Sequence, residues 1–158
     1  MTRPGNSTAR RLSEADLYDS DYFEWTQRTA RLLRAGRLGG IDVQHAAEEI
    51  EDMGKRDLRE VNSRLQVVLA HLLKWKYQPR RRSASWRSTL VAQRLEIDAV
   101  LQDSPSLRRR MQENLSRTYQ GAVRRAAAET GLAQATFPRS CPFSLEQVLD
   151  VDFLPAGS

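Results

Sequence analysis

The sequence predicts an all-α fold: a single-domain helical bundle of about four main helices plus a short C-terminal helix. Three observations lead there. Apolar residues recur at intervals of three and four through most of the chain, the period of a helix face. Glycine, proline and small polar residues stand between those runs, where caps and turns belong. The length of 158 residues suits one domain, and one of that size buries enough surface for a core without disulfides or metals.

Residues 1–15 carry Pro4, Gly5, Asn6, Ser7 and several arginines and offer little to bury, so they read as a disordered basic tail, with residues 16–158 as one helical domain. The first helix follows. Tyr22, Trp25, Thr29 and Leu32 lie on one face, and Asp21 with Glu24 forms a capping-box pattern. The aromatic stripe Tyr18, Tyr22, Phe23 and Trp25 reads as core rather than as a ligand platform. Gly36, Gly39 and Gly40 end the element.

Residues 41–79 hold the longest pattern. Val43, Ala47, Ile50, Gly54, Leu58, Val61, Leu65, Val68, Leu72 and Trp75 share a helical face, Asp42 is the N-cap, and Pro79 closes the run. A helix of about 35 residues would be about 50 Å long. Gly54 is the cheapest place for a kink or break, with both halves expected to pack in the core. A third helix spans residues 86–101, capped by Ser83 or Ser85, with Trp86, Leu90, Ile97 and Leu101 on its face. Arg94 falls inside that face, as a candidate partner for Asp57 or Glu49. The fourth helix runs from Pro105 to about Thr130. Leu107, Met111, Leu115, Tyr119, Ala122 and Ala126 point inward, and Gly131 is its C′ residue. Phe137, Phe143 and Phe153 should pin a proline-extended tail across the bundle, and Ser144 with Gln147 caps the short last helix. Cys141 reads as a buried thiol rather than a nucleophile.

Composition narrows the function. The formal net charge is +5 and there is one cysteine, which implies a reducing compartment and points mildly to anionic partners. No stretch is apolar enough to span a membrane, and no leader-like run opens the sequence, so the expected location is cytoplasmic with no membrane partner. No glycine-rich phosphate loop, zinc-ligand spacing or nucleophile elbow is present; no catalytic residue, metal ligand or cofactor is assigned.

Two groups of residues stand out. Lys74, Lys76, Arg80, Arg81, Arg82 and Arg87 form the densest basic segment. Interleaved with Tyr77 and Trp86, they have the composition to clamp phosphates and stack on bases; the plainer reading is a solvated loop favoured by the preceding helix's C-terminal end. The second group is a candidate polar interhelical site. Arg64 and His71 fall at a spacing of seven with Asp57, near the helix seam, and Glu48, Glu49 and Arg94 are the other polar candidates. The plainer reading is a seam whose polar groups are all satisfied, with His71 on a backbone carbonyl. Glu48, Glu49, Glu51 and Asp52 resemble paired metal carboxylates only loosely, because no second Glu-x-x-His accompanies them.

Several pieces together resemble a known family. Tyr22-Phe23-Glu24-Trp25, the run Glu48-Glu49-Ile50-Glu51-Asp52-Met53-Gly54-Lys55, and His71-Leu72-Leu73-Lys74-Trp75 are similar to the bacterial "domain of unknown function 29" family. So are Ser85-Trp86, Pro105-Ser106-Leu107, Phe137-Pro138 and Cys141-Pro142. The resemblance covers roughly residues 17–155. It implies an all-helical bacterial protein and brings no activity, cofactor or catalytic residue. The leading expectation is a non-catalytic interaction module whose arginine-rich patch binds an anionic partner such as nucleic acid, with a protein partner or a second copy of the chain also open. The alternative is a small helical enzyme or metal-binding protein built on Glu48, Glu49, Arg64, His71 and Arg94.

Overall fold

Local signals fix most of the helix ends. In the computed structural model, which describes residues 14–156, six α-helices follow one another and no strand occurs among the described residues. They are α1 (Glu14–Ser20), α2 (Tyr22–Arg34), α3 (Val43–Tyr77), α4 (Ala84–Asp103), α5 (Leu107–Thr130) and α6 (Leu145–Leu149). The expected all-α architecture stands. The expected basic tail lies outside the described residues up to residue 13, and residues 14 and 15 begin α1.

Caps appear where their side chains allow. The Glu24 amide donates to Asp21 Oδ1 at 3.0 Å at the start of α2, although the Glu24 carboxylate pairs with Arg31 rather than closing a capping box. The His45 amide donates to Asp42 Oδ1 at 3.3 Å as α3 begins. The Trp86 amide donates to Ser83 Oγ at 3.3 Å for α4. Ser144 and Gln147 form a complete reciprocal capping box on α6. Gly131 follows α5 with φ of 75°, in the left-handed region that other residues adopt only at a cost.

The described residues gather into two compact units that divide after Gly54. In the first, Leu17, Trp25 and Thr29 are buried. Tyr18 meets Trp25 edge-on at 4.9 Å and stacks on His45 at 4.0 Å. Only part of the expected aromatic core forms, because Tyr22 is 50% and Phe23 71% exposed.

In the second unit, helix directions follow from side-chain pairs. Arg64 reaches Glu96 and Lys74 lies over Trp86, so α4 runs antiparallel to α3. Gln66 lies against Gly121 and Lys74 meets Glu129, so α5 runs parallel to α3. Val61, Leu65, Val68, Leu69, Leu72, Leu90, Ile97, Met111, Tyr119 and Ala122 are almost fully buried between these helices. The tail then crosses this core: Phe137, Phe143, Leu145 and Val148 are buried in it. Tyr119 donates its hydroxyl to the Pro138 carbonyl at 2.8 Å.

Arg94 holds the end of this tail. It is 3% exposed, and its guanidinium donates to the carbonyls of Val148 (2.8 Å), Val151 (3.3 Å) and Phe153 (3.0 Å). Burial pushes its pKa down, and the nearby Asp150 and Asp152 carboxylates push it back up. This corrects the expected pairing of Arg94 with Asp57 or Glu49. Carbonyls just past a short helix need donors, and a planar fork serves several at once.

Two expectations for α3 are also corrected. The helix has no break: it runs continuously through Gly54. One glycine costs only about 1 kcal/mol in a helix, less than interrupting the hydrogen-bond ladder. Nor do both halves enter a core. The buried residues of α3 all lie between Val61 and Lys74, while Val43, Ile50 and Met53 are more than half exposed.

Replacing Arg94 with methionine should strip three tail carbonyls of their donor and destabilise the second unit by about 3 kcal/mol. Arg94→Lys should recover little, since an ammonium cannot reproduce the fork. Urea unfolding followed by tryptophan fluorescence checks this. A midpoint equal to wild type in Arg94→Met would show that the clasp contributes nothing.

Candidate functional site

The candidate basic segment occupies the end of α3, the short 3-10 turn Pro79–Arg81 and the first turn of α4. Its cations divide into two kinds. Lys74 is turned inward: it is 7% exposed, its Nζ is 2.6 Å from Glu129 Oε2, and it sits 4.6 Å over the Trp86 ring. Arg82 folds back, donating from Nε to the Trp75 carbonyl at 2.9 Å with its guanidinium 5.2 Å over the Trp75 ring. These two are structural. Lys76, Arg80, Arg81 and Arg87 form no ion pair among the described residues, and the three arginines are exposed. No Asp or Glu occurs between Glu60 and Glu96 in the chain, so no neighbour in sequence neutralises them.

The aromatic residues of this segment face elsewhere. Tyr77 packs edge-on against Phe137 at 5.3 Å, and Trp86 is covered by Lys74. Both rings are half-exposed and each is engaged on one side within the fold, which limits what remains for a base to stack on.

The candidate polar residues do not form one cleft in the second unit. Arg64 donates to Glu60 (Nε, 3.0 Å) and lies near Glu96 and Gln93. His71 donates from Nδ1 to the Val67 carbonyl one turn earlier, at 2.9 Å. Arg94 serves the tail. Each is satisfied by different partners. Burial lowers the pKa of His71, the Val67 hydrogen bond opposes that, and Lys74 adds to it. Burial raises the Glu129 carboxyl, but hydrogen bonds from Lys74 and Arg125 outweigh it and leave it below the ordinary range.

In the first unit, Glu48 accepts from Gln44 Nε2 at 2.6 Å. Glu49 receives both the Tyr18 and the Tyr22 hydroxyls at 2.7 Å. The hydrogen bond to Glu49, then burial, pushes the Tyr18 hydroxyl up to about 12. His45 Nδ1 and Asp42 Oδ2 lie 2.5 Å apart; this contact raises the His45 pKa and lowers that of Asp42. Among the described residues no three His, Cys, Asp or Glu side chains gather as a metal site requires, and no helix is long and apolar enough to cross a membrane. Cys141 is half-buried, with burial raising its pKa and its thiol directed at the Phe143 carbonyl.

One feature was missed by sequence reasoning: a groove of about 770 Å³ between α3 and α5. Arg59, Arg117 and Arg124 line it, none in an ion pair among the described residues, together with the carboxamides of Asn62, Gln66, Asn114 and Gln120. Gly121 lies in its floor. A Cβ there would stand 2.6 Å from Gln66 Oε1, so the glycine gives the Gln66 amide room to lie against α5. The sequence showed small residues on α5 but not which residues of α3 face them. A smaller cavity of about 250 Å³ beside Arg94 is lined by both signs, with Arg108 near Asp98, Glu146 and Asp150.

The model of the family described as Domain of unknown function DUF29 matches residues 17–154. The chain belongs to that family. No curated protein matches the chain, and no solved structure matches it.

The His71 ring makes a pH prediction. Its folded pKa lies below the ordinary 6.5, so its contribution to stability is full above that value and declines as the pH falls through it toward the folded pKa. His45, raised by Asp42, acts oppositely: its contribution is full below 6.5 and is lost as the pH rises through its folded pKa. His71→Gln, which keeps a donor for Val67, should remove the acid-side loss and leave a rise in thermal midpoint on acidification from about pH 7 to about pH 5.5. Thermal unfolding across that window checks it, and a pH dependence identical to wild type would rule out the assignment.

Proposed function

We propose that this family member is a non-catalytic binding module that takes an anionic polymer, nucleic acid, by its phosphates. The contacts are Lys76, Arg80, Arg81 and Arg87. The observation that carries this reading is that the exposed Arg80, Arg81 and Arg87, and the half-buried Lys76 over the Tyr77 ring, remain without an ion pair among the described residues at one helix–turn–helix junction, whereas Lys74 and Arg82 beside them are engaged internally. Exposed arginines with no neutralising carboxylate attract phosphates and displace their counterions.

The missing aromatic platform refines the partner. With Tyr77 against Phe137 and Lys74 over the Trp86 ring, bases have little surface to stack on. Recognition through phosphates alone is insensitive to sequence and suits a duplex, whose charge density is higher than that of a single strand. A bacterial cytoplasm is the setting in which such a module would meet its partner.

Duplex DNA and duplex RNA, titrated at a series of salt concentrations, should bind with a steep salt dependence. The triple variant Arg80→Ser, Arg81→Ser, Arg87→Ser should weaken binding and reduce the magnitude of the log–log salt slope by about 2 to 3. Arg82 is left in place because its loss would free Trp75. Fluorescence anisotropy measures both quantities, and an unchanged slope in the triple variant would sink the patch assignment.

A further inference from the structure

We infer that the groove between α3 and α5 is a second binding site, for a small ligand that carries at least two phosphates on a hydroxyl-rich, non-aromatic scaffold. It stands apart from the nucleic-acid reading and uses none of the same residues.

The charge of the groove comes first. Arg59 on α3 and Arg117 and Arg124 on α5 line it, and no carboxylate does. The other arginines of α5 show what an uncommitted position is worth. Arg109 and Arg110 reach Glu113 at 2.9 and 3.1 Å, and Arg125 reaches Glu129 at 2.8 Å. On the same helix, Arg117 and Arg124 have no such partner among the described residues. Guanidiniums left unpaired at the edge of a concave site bind phosphate oxygens through forked, charge-assisted hydrogen bonds. Three positive groups and no negative one call for more than one anionic group on the ligand.

The rest of the lining identifies what carries those anions. Carboxamides at Asn62, Gln66, Asn114 and Gln120 supply both donors and acceptors, as Ser63 and Thr118 do. No aromatic ring lines the groove, so a nucleobase would find no stacking surface. Alcohol hydroxyls meet such carboxamides as donors and acceptors at once, whereas phosphates at neutral pH act mainly as acceptors. The volume, about 770 Å³, is in the range of small-molecule sites.

The test uses the full chain, with fructose 1,6-bisphosphate and inorganic tripolyphosphate as probes in isothermal titration calorimetry at constant ionic strength. The bisphosphate should bind more tightly than tripolyphosphate, because only it offers alcohol hydroxyls. Arg117→Gln with Arg124→Gln should weaken it by roughly a hundredfold, about tenfold for each guanidinium, with the circular dichroism spectrum unchanged. Asn114→Leu with Ser63→Ala should reduce the preference for the bisphosphate while leaving tripolyphosphate affinity as it was. The Arg80, Arg81, Arg87 serine variant should bind the bisphosphate like wild type, and the groove variants should keep their affinity for duplex. Four results would each overturn the proposal: no binding of either probe, tighter binding of tripolyphosphate, full affinity in the double arginine variant, or equal loss in the serine variant.

Discussion

The second unit depends on one buried guanidinium. Three helices with α5 parallel to α3 leave an apolar face that they cannot cover alone, and residues 137–155 cover it. That segment has little regular structure of its own, only a 5-residue helix and extended turns. Its carbonyls enter a region with little water, where each needs a donor. Arg94 provides donors for three of them and sits on the middle helix, so one side chain ties the tail to the bundle. The cost of burying its charge is offset in part by Asp150 and Asp152, which the tail itself brings. Tyr119 provides a second hook, at Pro138. Between these hooks Phe137, Phe143, Leu145 and Val148 complete the core.

What was legible in the sequence was local. Helix faces follow from the spacing of Val61, Leu65, Val68 and Leu72, and caps follow from Ser83, Gly131 and the Ser144–Gln147 box, because each depends on residues within one or two turns. What was illegible depends on distant backbone. Arg94 pairs with carbonyls 54 to 59 residues away, and a carbonyl leaves no mark in the sequence. A search among carboxylates for its partner was bound to choose wrongly. The amphipathic pattern of α3 was likewise read as a single core face, but periodicity reports that a face exists and not what covers it. Val43, Ile50 and Met53 keep the phase and remain exposed.

The candidate sites divide on the same principle. The basic run of residues 74–87 was visible as composition, yet composition could not separate Lys74, held by Glu129 from the last turn of α5, from Arg80 and Arg81. Nor could it show that Trp86 was occupied by Lys74. The groove was invisible for a stronger reason. Its arginines lie on two helices far apart in sequence, and their meeting requires α3 and α5 to run parallel, which only the intervening α4 makes possible.

A net charge of +5 understates how unevenly that charge is arranged. On α5 the carboxylates Glu113 and Glu129 stand within one turn of the arginines they neutralise. Between Glu60 and Glu96 there is no acid at all, and the cations of that stretch either find partners on other helices or face outward. Positive charge therefore concentrates in two places of different shape. At the α3–α4 turn it is exposed on short backbone, open to a long polyanion that contacts one side chain after another. Between α3 and α5 it lines a concavity with amides at hand, a setting in which a small ligand can be surrounded. Charge alone would not distinguish these surfaces; their curvature, and the neutral polar groups present in one and lacking in the other, do.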